Sequence, residues 1–135
     1  TTIIFAPPIV ADGDVGTPDM VYFEILAPAS TNIEMDWVQI EVSADGVTWY
    51  QVLFWGNAAP DTNTNIDITL PAVNAVCPTE FDNCPIPSTL LYNVTGITID
   101  IDPFVPAGSY AWIRISSPAG AANGADVDAI QPYYP

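Results

Sequence analysis

The stretch VQIEVSADGVTWYQVLFWG, residues 38–56, reads as two strands joined by a tight turn. Val38, Ile40 and Val42 alternate with Gln39, Glu41 and Ser43, the two-residue period of a half-buried strand. Asp45-Gly46 supplies the left-handed backbone that a hairpin turn needs. If Val38, Ile40 and Val42 face the core, Trp37, Gln39 and Glu41 face away. Two registers are then open to the returning strand. A two-residue turn sets Tyr50, Val52 and Phe54 beside Trp37; a three-residue turn, with Gly46 in a bulge, sets Trp49, Leu53 and Trp55 there. Both predict an outward aromatic row drawn from Trp37, Trp49, Tyr50, Phe54 and Trp55.

The rest of the 135-residue chain repeats this texture. No segment sustains a helical period. Fourteen prolines and eight glycines punctuate short runs rich in Val, Ile, Thr and aromatics, the pattern of an all-β antiparallel sandwich of about 8–9 strands. Strands are expected over residues 2–5, 20–26, 35–43, 48–55, 66–70, 90–94, 97–101, 110–116 and 127–131. Nothing in the composition marks a linker or repeat, so residues 1–135 read as one domain. No apolar run approaches a membrane span, and without an initiator Met the chain reads as a mature product whose export signal has been removed.

Residues 71–88 contain four prolines and both cysteines of the chain, Cys77 and Cys84. A short Pro-flanked loop with two Cys and no other soft ligand reads as a disulfide formed in an oxidising compartment. Closing so small a loop is worth about 2–3 kcal/mol by chain entropy. A redox pair is the rival reading, but the spacing is not Cys-x-x-Cys and no nearby cation would lower a thiol pKa.

Sixteen acidic residues stand against one basic residue, Arg114, giving a net charge of −15. That excludes nucleic acid, whose binding needs Lys and Arg at the phosphates. It favours hard cations held by carboxylate and carbonyl oxygens, calcium first. The absence of His and Lys removes Ser-His triads, Schiff-base lysines and His-bound zinc. Paired carboxylates could still hydrolyse a glycoside, yet no acidic pair sits in a recognisable site, so the chain reads as non-enzymatic.

Taken together, VQIEVSADGVTWYQV (residues 38–52), YAWIRISS (110–117) and GADVDAIQP (124–132) resemble, in kind and order, strands of the discoidin-like, galactose-binding-type jelly rolls. The resemblance implies a jelly-roll sandwich, commonly extracellular and often carrying a structural calcium ion. The family's ligand-binding loops do not carry over, because this chain lacks matching basic or His residues.

Three oxygen-rich stretches are candidate calcium ligands: ADGDVGTPD with Asp12, Asp14 and Asp19; PDTNTNIDI with Asp61, Asn63, Asn65 and Asp67; and GADVDAI with Asp126 and Asp128. None is an EF-hand, since the required Gly and final Glu are missing. Extended backbone would point the four oxygens of the second stretch one way. In the resembling fold an early loop and the closing strand meet at one calcium, which singles out Asp12, Asp14, Asp19 and Asp128. The competing reading is that Asp, Asn, Gly and Thr simply build turns. Asn93-Val94-Thr95 is an N-glycosylation sequon, meaningful only in an exported protein.

The outward aromatic row has three readings: a surface covered by the protein's own 71–88 loop, a platform on which sugar rings stack, or a contact with another copy. A mean hydropathy of +0.29 with so little charge favours self-association. Residues Thr2, Ile3, Ile4 and Phe5, within an N-terminal arm of residues 1–10, are apolar and β-prone, suited to adding a strand to a neighbouring sheet. The expected function is a structural subunit of an extracellular or cell-surface filament, a calcium-stabilised homopolymer. The alternative is a glycan-binding or adhesive module. Membrane insertion is not expected.

Overall fold

A computed structural model describes residues 1–122 and 124–133. The chain is all-β, as the alternating patterns require. Its strands are β1 (Thr2–Ala11), β2 (Met20–Glu24), β3 (Asn32–Met35), β4 (Val38–Ser43), β5 (Tyr50–Trp55), β6 (Cys84–Pro87), β7 (Gly96–Ile99), β8 (Gly108–Ser116) and β9 (Val127–Pro132). The one α-helical turn among the described residues is α1, Pro71–Asn74. A four-stranded sheet runs β1-β8-β4-β5, a three-stranded sheet β7-β2-β9, and β3 pairs with β6 as a ribbon. All pairings between these strands are antiparallel. One hydrophobic core joins them: Ile40, Ile113 and Trp55 from the first sheet, Met20, Tyr22 and Ile97 from the second, Ile33, Met35 and Ile86 from the ribbon.

The expected strand 35–43 is split. Asp36 and Trp37 break the ladder, so β3 belongs to the ribbon and β4 to the four-stranded sheet. Trp37 N donates instead to Asp82 Oδ1 at 2.9 Å. Two other expected strands are absent. In residues 66–70, Ile66 and Ile68 are buried, but Thr69 N donates to Asp67 Oδ1 at 2.8 Å and Leu70 N to Asp67 O at 2.9 Å, folding the run into turns. In residues 90–94, Asn93 and Val94 take positive φ of 46° and 80°, which no strand tolerates. Asn93 thus lies on an exposed turn closed by Tyr92 and Gly96, whose N–H groups each donate to the other's carbonyl.

The 71–88 segment is more than a surface loop. It carries α1, the Cys77–Cys84 disulfide and β6, and it buries Val73, Cys77, Glu80, Cys84 and Ile86. The 38–56 hairpin also departs from both simple registers. Ile40 pairs with Leu53 and Glu41 with Gln51, so a bulge turns Val52 and Leu53 both inward. The N-terminal run is not a free arm. Thr2, Ile3 and Ile4 pair with Arg114, Ile113 and Trp112 of the chain's own β8, because an apolar run buries surface most readily against the nearest open sheet edge. No helix among the described residues is long and apolar enough to cross a membrane.

Candidate functional site

The oxygen cluster that the fold assembles lies between the loop preceding β2 and the segment following β7. Asp19, Asp100 and Asp102 each present a carboxylate oxygen, all within 4.8 Å of one another. Backbone amides fix each group. Ile101 N donates to Asp19 Oδ2 at 2.8 Å, Asp102 N to Asp100 Oδ1 at 3.0 Å, Gly16 N to Asp100 Oδ2 at 2.6 Å, and Gly13 N to Asp102 Oδ1 at 3.0 Å. Asp102 Oδ2 is buried with no hydrogen-bond partner. Burial, augmented by the charges of Asp102, Asp100 and Asp12, pushes the Asp19 carboxyl up to about 6. Hard oxygens this close repel one another unless a proton or a hard cation sits between them.

Only part of the expected ligand set is here. Asp19 is in it, and Asp12 is near enough for its charge to act on Asp19. Asp12 Oδ1 accepts from Asp14 N at 2.9 Å and Asp14 Oδ2 from Thr17 Oγ1 at 3.1 Å, so these two shape the loop. Asp126 and Asp128 are elsewhere. β9 runs antiparallel to β2, which sets Pro132 beside Met20 and Val127 beside Glu24. The end of β9, not its Asp-bearing start, therefore reaches Asp19, where Tyr133 N donates to Asp19 O at 2.8 Å. Asp126 bears instead on the buried Glu24 and Asp36, and Asp128 lines a groove beside Thr1. Asp100 and Asp102 carry a readable signal, the alternate acids of ITIDID (residues 97–102); the pairing of β7 with β2, which sets Ile99 beside Met20 and lets Asp19 N donate to Ile99 O, brings them to the early loop.

The residues of the second expected set make mostly backbone contacts. Asn63 Nδ2 donates to Val52 O and to Asp100 O, both at 2.8 Å. Asn65 Nδ2 donates to Leu90 O and Gly96 O at 3.0 and 3.2 Å while its Oδ1 accepts from Thr98 N at 3.0 Å. The Nδ2 groups of both residues and Oδ1 of Asn65 staple loops to strands, while Asn63 Oδ1 is buried with no hydrogen-bond partner. Asp67 closes its own turn. Asp61 is half-buried and accepts from Phe54 N at 3.4 Å, and desolvation together with the charge of Glu80 pushes it up to about 7.

Glu80 lies outside every expected set. It is fully buried, and its Oε2 accepts the amides of Gly56, Asn57 and Ala58 at 3.0, 3.1 and 3.1 Å. Its carbonyl accepts from Trp37 Nε1 at 2.7 Å. Gly56 is required beneath that ring: φ is +116°, and a Cβ there would sit 2.6 Å from the Trp37 ring. The expected aromatic row is therefore dispersed. Trp55 is in the core, Trp37 lies under the protein's own 80–82 loop, and Tyr50 packs edge-on to Tyr110 with ring centroids 6.1 Å apart. Phe54 remains beside Gln39, and Trp49 lies 4.3 Å under the Arg114 guanidinium. Arg114 also clamps Glu41 through two bonds of 2.6 and 2.8 Å.

The outer edges of β1 and β9 border a groove of about 530 Å³, lined by Thr1, Ile3, Ile115, Val127 and Ile130 among others. No protein family, curated protein or solved structure matches the chain.

Proposed function

We propose that this protein is a non-enzymatic structural subunit of an extracellular or cell-surface filament, built by self-association of identical copies. The observation that carries the reading is the character of β1. It forms an open edge of the four-stranded sheet, and its ten residues include no charged side chain. Ile4 is 62% exposed and Val10 53%. Sandwiches blunt such an edge with charge, Pro or irregular pairing; here Pro7 and Pro8 interrupt only the middle of β1, and the runs on either side carry no charge on a chain of net charge −15. The disulfide fits an oxidising exterior. Negative-stain imaging of the purified protein, with light scattering over a concentration series, is the test. Polymers that grow with concentration are expected, and a single monomeric particle at the highest concentration would end the proposal.

Calcium is the proposed structural ion, held by Asp19, Asp100 and Asp102 with Asp12 adjacent. Adding millimolar calcium to chelator-treated protein should raise the melting temperature by roughly 8–10 °C at a hundredfold excess over Kd. Asp102→Asn should remove that response while leaving the metal-free protein no less stable, since it relieves repulsion. Identical melting curves in chelator and calcium would remove the ion from the account.

A further inference from the structure

Resting on the self-association reading above, we infer that copies join by exchanging the segment 1–5, each laying it along β8 of the next copy. The pairing of β1 is interrupted in one place. Thr2, Ile3 and Ile4 oppose Arg114, Ile113 and Trp112, and pairing resumes with Ile9 opposite Tyr110. Four residues, Phe5, Ala6, Pro7 and Pro8, thus face Ala111 alone. Two of the four lack an N–H and cannot join a ladder. The first three paired residues are thus joined to the rest of β1 through a stretch that makes no regular pairing with β8.

Everything that holds this short strand is a contact another copy can supply unchanged. Thr1 N donates to Ile115 O at 2.7 Å and Ile115 N to Thr1 O at 2.8 Å. Ile3 is half-buried against the core and pairs with Ile113. An exchanged strand makes the same bonds, so each one that opens within a chain re-forms between two chains. Residues 1–11 contain no Asp or Glu, and the β8 strand that receives them, residues 108–116, contains none either and carries Arg114, so the exchanged contact brings no like charges together. Handing the segment onward, rather than back to the same partner, yields a fibre wherever the rotation between neighbours does not close a ring.

Thr2 and Arg114 are directly opposed, and the reciprocal bonds at the Thr1–Ile115 position make theirs a non-hydrogen-bonded pair, the closer of the two kinds. The full chain carrying Thr2→Cys and Arg114→Cys is oxidised after assembly and run without reductant. Exchange gives a ladder of covalent multimers from the polymer fraction. Polymers whose new disulfides map within single chains overturn exchange and leave the filament standing; absence of polymers in the unsubstituted protein overturns both. Independently, a twentyfold excess of the peptide TTIIFAPP should shorten polymers of the unsubstituted protein at least severalfold, with a scrambled peptide inert. Unchanged polymer length at saturating peptide overturns exchange.

Discussion

Glu80→Ala is expected to lower the melting temperature by about 10 °C. The side chain ends on three consecutive amides, those of Gly56, Asn57 and Ala58. Truncation removes all three part-buried bonds at once, at about 1 kcal/mol for each. Burial nevertheless holds the Glu80 carboxyl above the usual range, the amides opposing that rise. The charge itself is therefore a burden, and the acceptor oxygen is what stabilises. Glu80→Gln retains the oxygen and should stay within about 1 kcal/mol of the parent. Thermal melts of both variants decide it: equal losses would show that the negative charge matters, and two unperturbed melts would show that the contact does not hold the loop.

Stability should also rise markedly as the solution is acidified from pH 8 to pH 4 in the presence of chelator. Glu24 and Asp61 are both pushed up to about 7 by burial, Glu24 against a bond of 2.6 Å from Tyr22 Oη and Asp61 with the charge of Glu80 adding to the rise. Asp19 and Asp36 follow, to about 6 each, again mainly through burial. A carboxyl whose folded pKa exceeds its unfolded value binds its proton more tightly in the native state. Its stabilisation is complete below pH about 4 and is lost as the pH climbs through 6 to 7. Glu24 and Asp61 together are worth on the order of 3–5 kcal/mol over that window after allowance for relaxation of the site. Asp45 works the other way. Amides of Thr48 and Val47 lower it to about 2, so its contribution is lost as the pH falls toward 2. Denaturant melts at pH 4, 6 and 8 test the trend, and a stability maximum at pH 8 would contradict it.

The all-β class and the 38–56 hairpin are legible because alternation and Asp45-Gly46 are local signals. The disulfide is legible because the chain has only two cysteines. Less is visible where distant backbone decides the outcome. Asn63 and Asn65 look like ligands in the sequence, and nothing local reveals that Val52, Leu90 and Gly96 offer them carbonyls. The early loop is legible as a place where acids gather around Asp19. Its partners are not, because antiparallel pairing with β2 sends the acidic start of β9 to the far end of the sheet. Glu80 carries no signal at all: one acid in a proline-bounded loop is unremarkable until Gly56 and Trp37 come to meet it. β6 escapes a sequence reading because Pro85 and Pro87 argue against a strand, and a two-stranded ribbon is a place that accepts them.

The break at Asp36 and Trp37 ties two layers to one fate. A single peptide step leaves the ribbon and enters the larger sheet, and the indole beside it is gripped by the disulfide-closed loop. Neither layer can peel away alone without dragging the junction out of the interior. The molecule should therefore come apart as one cooperative unit, so that a chain pulled from both ends resists as a whole before it yields.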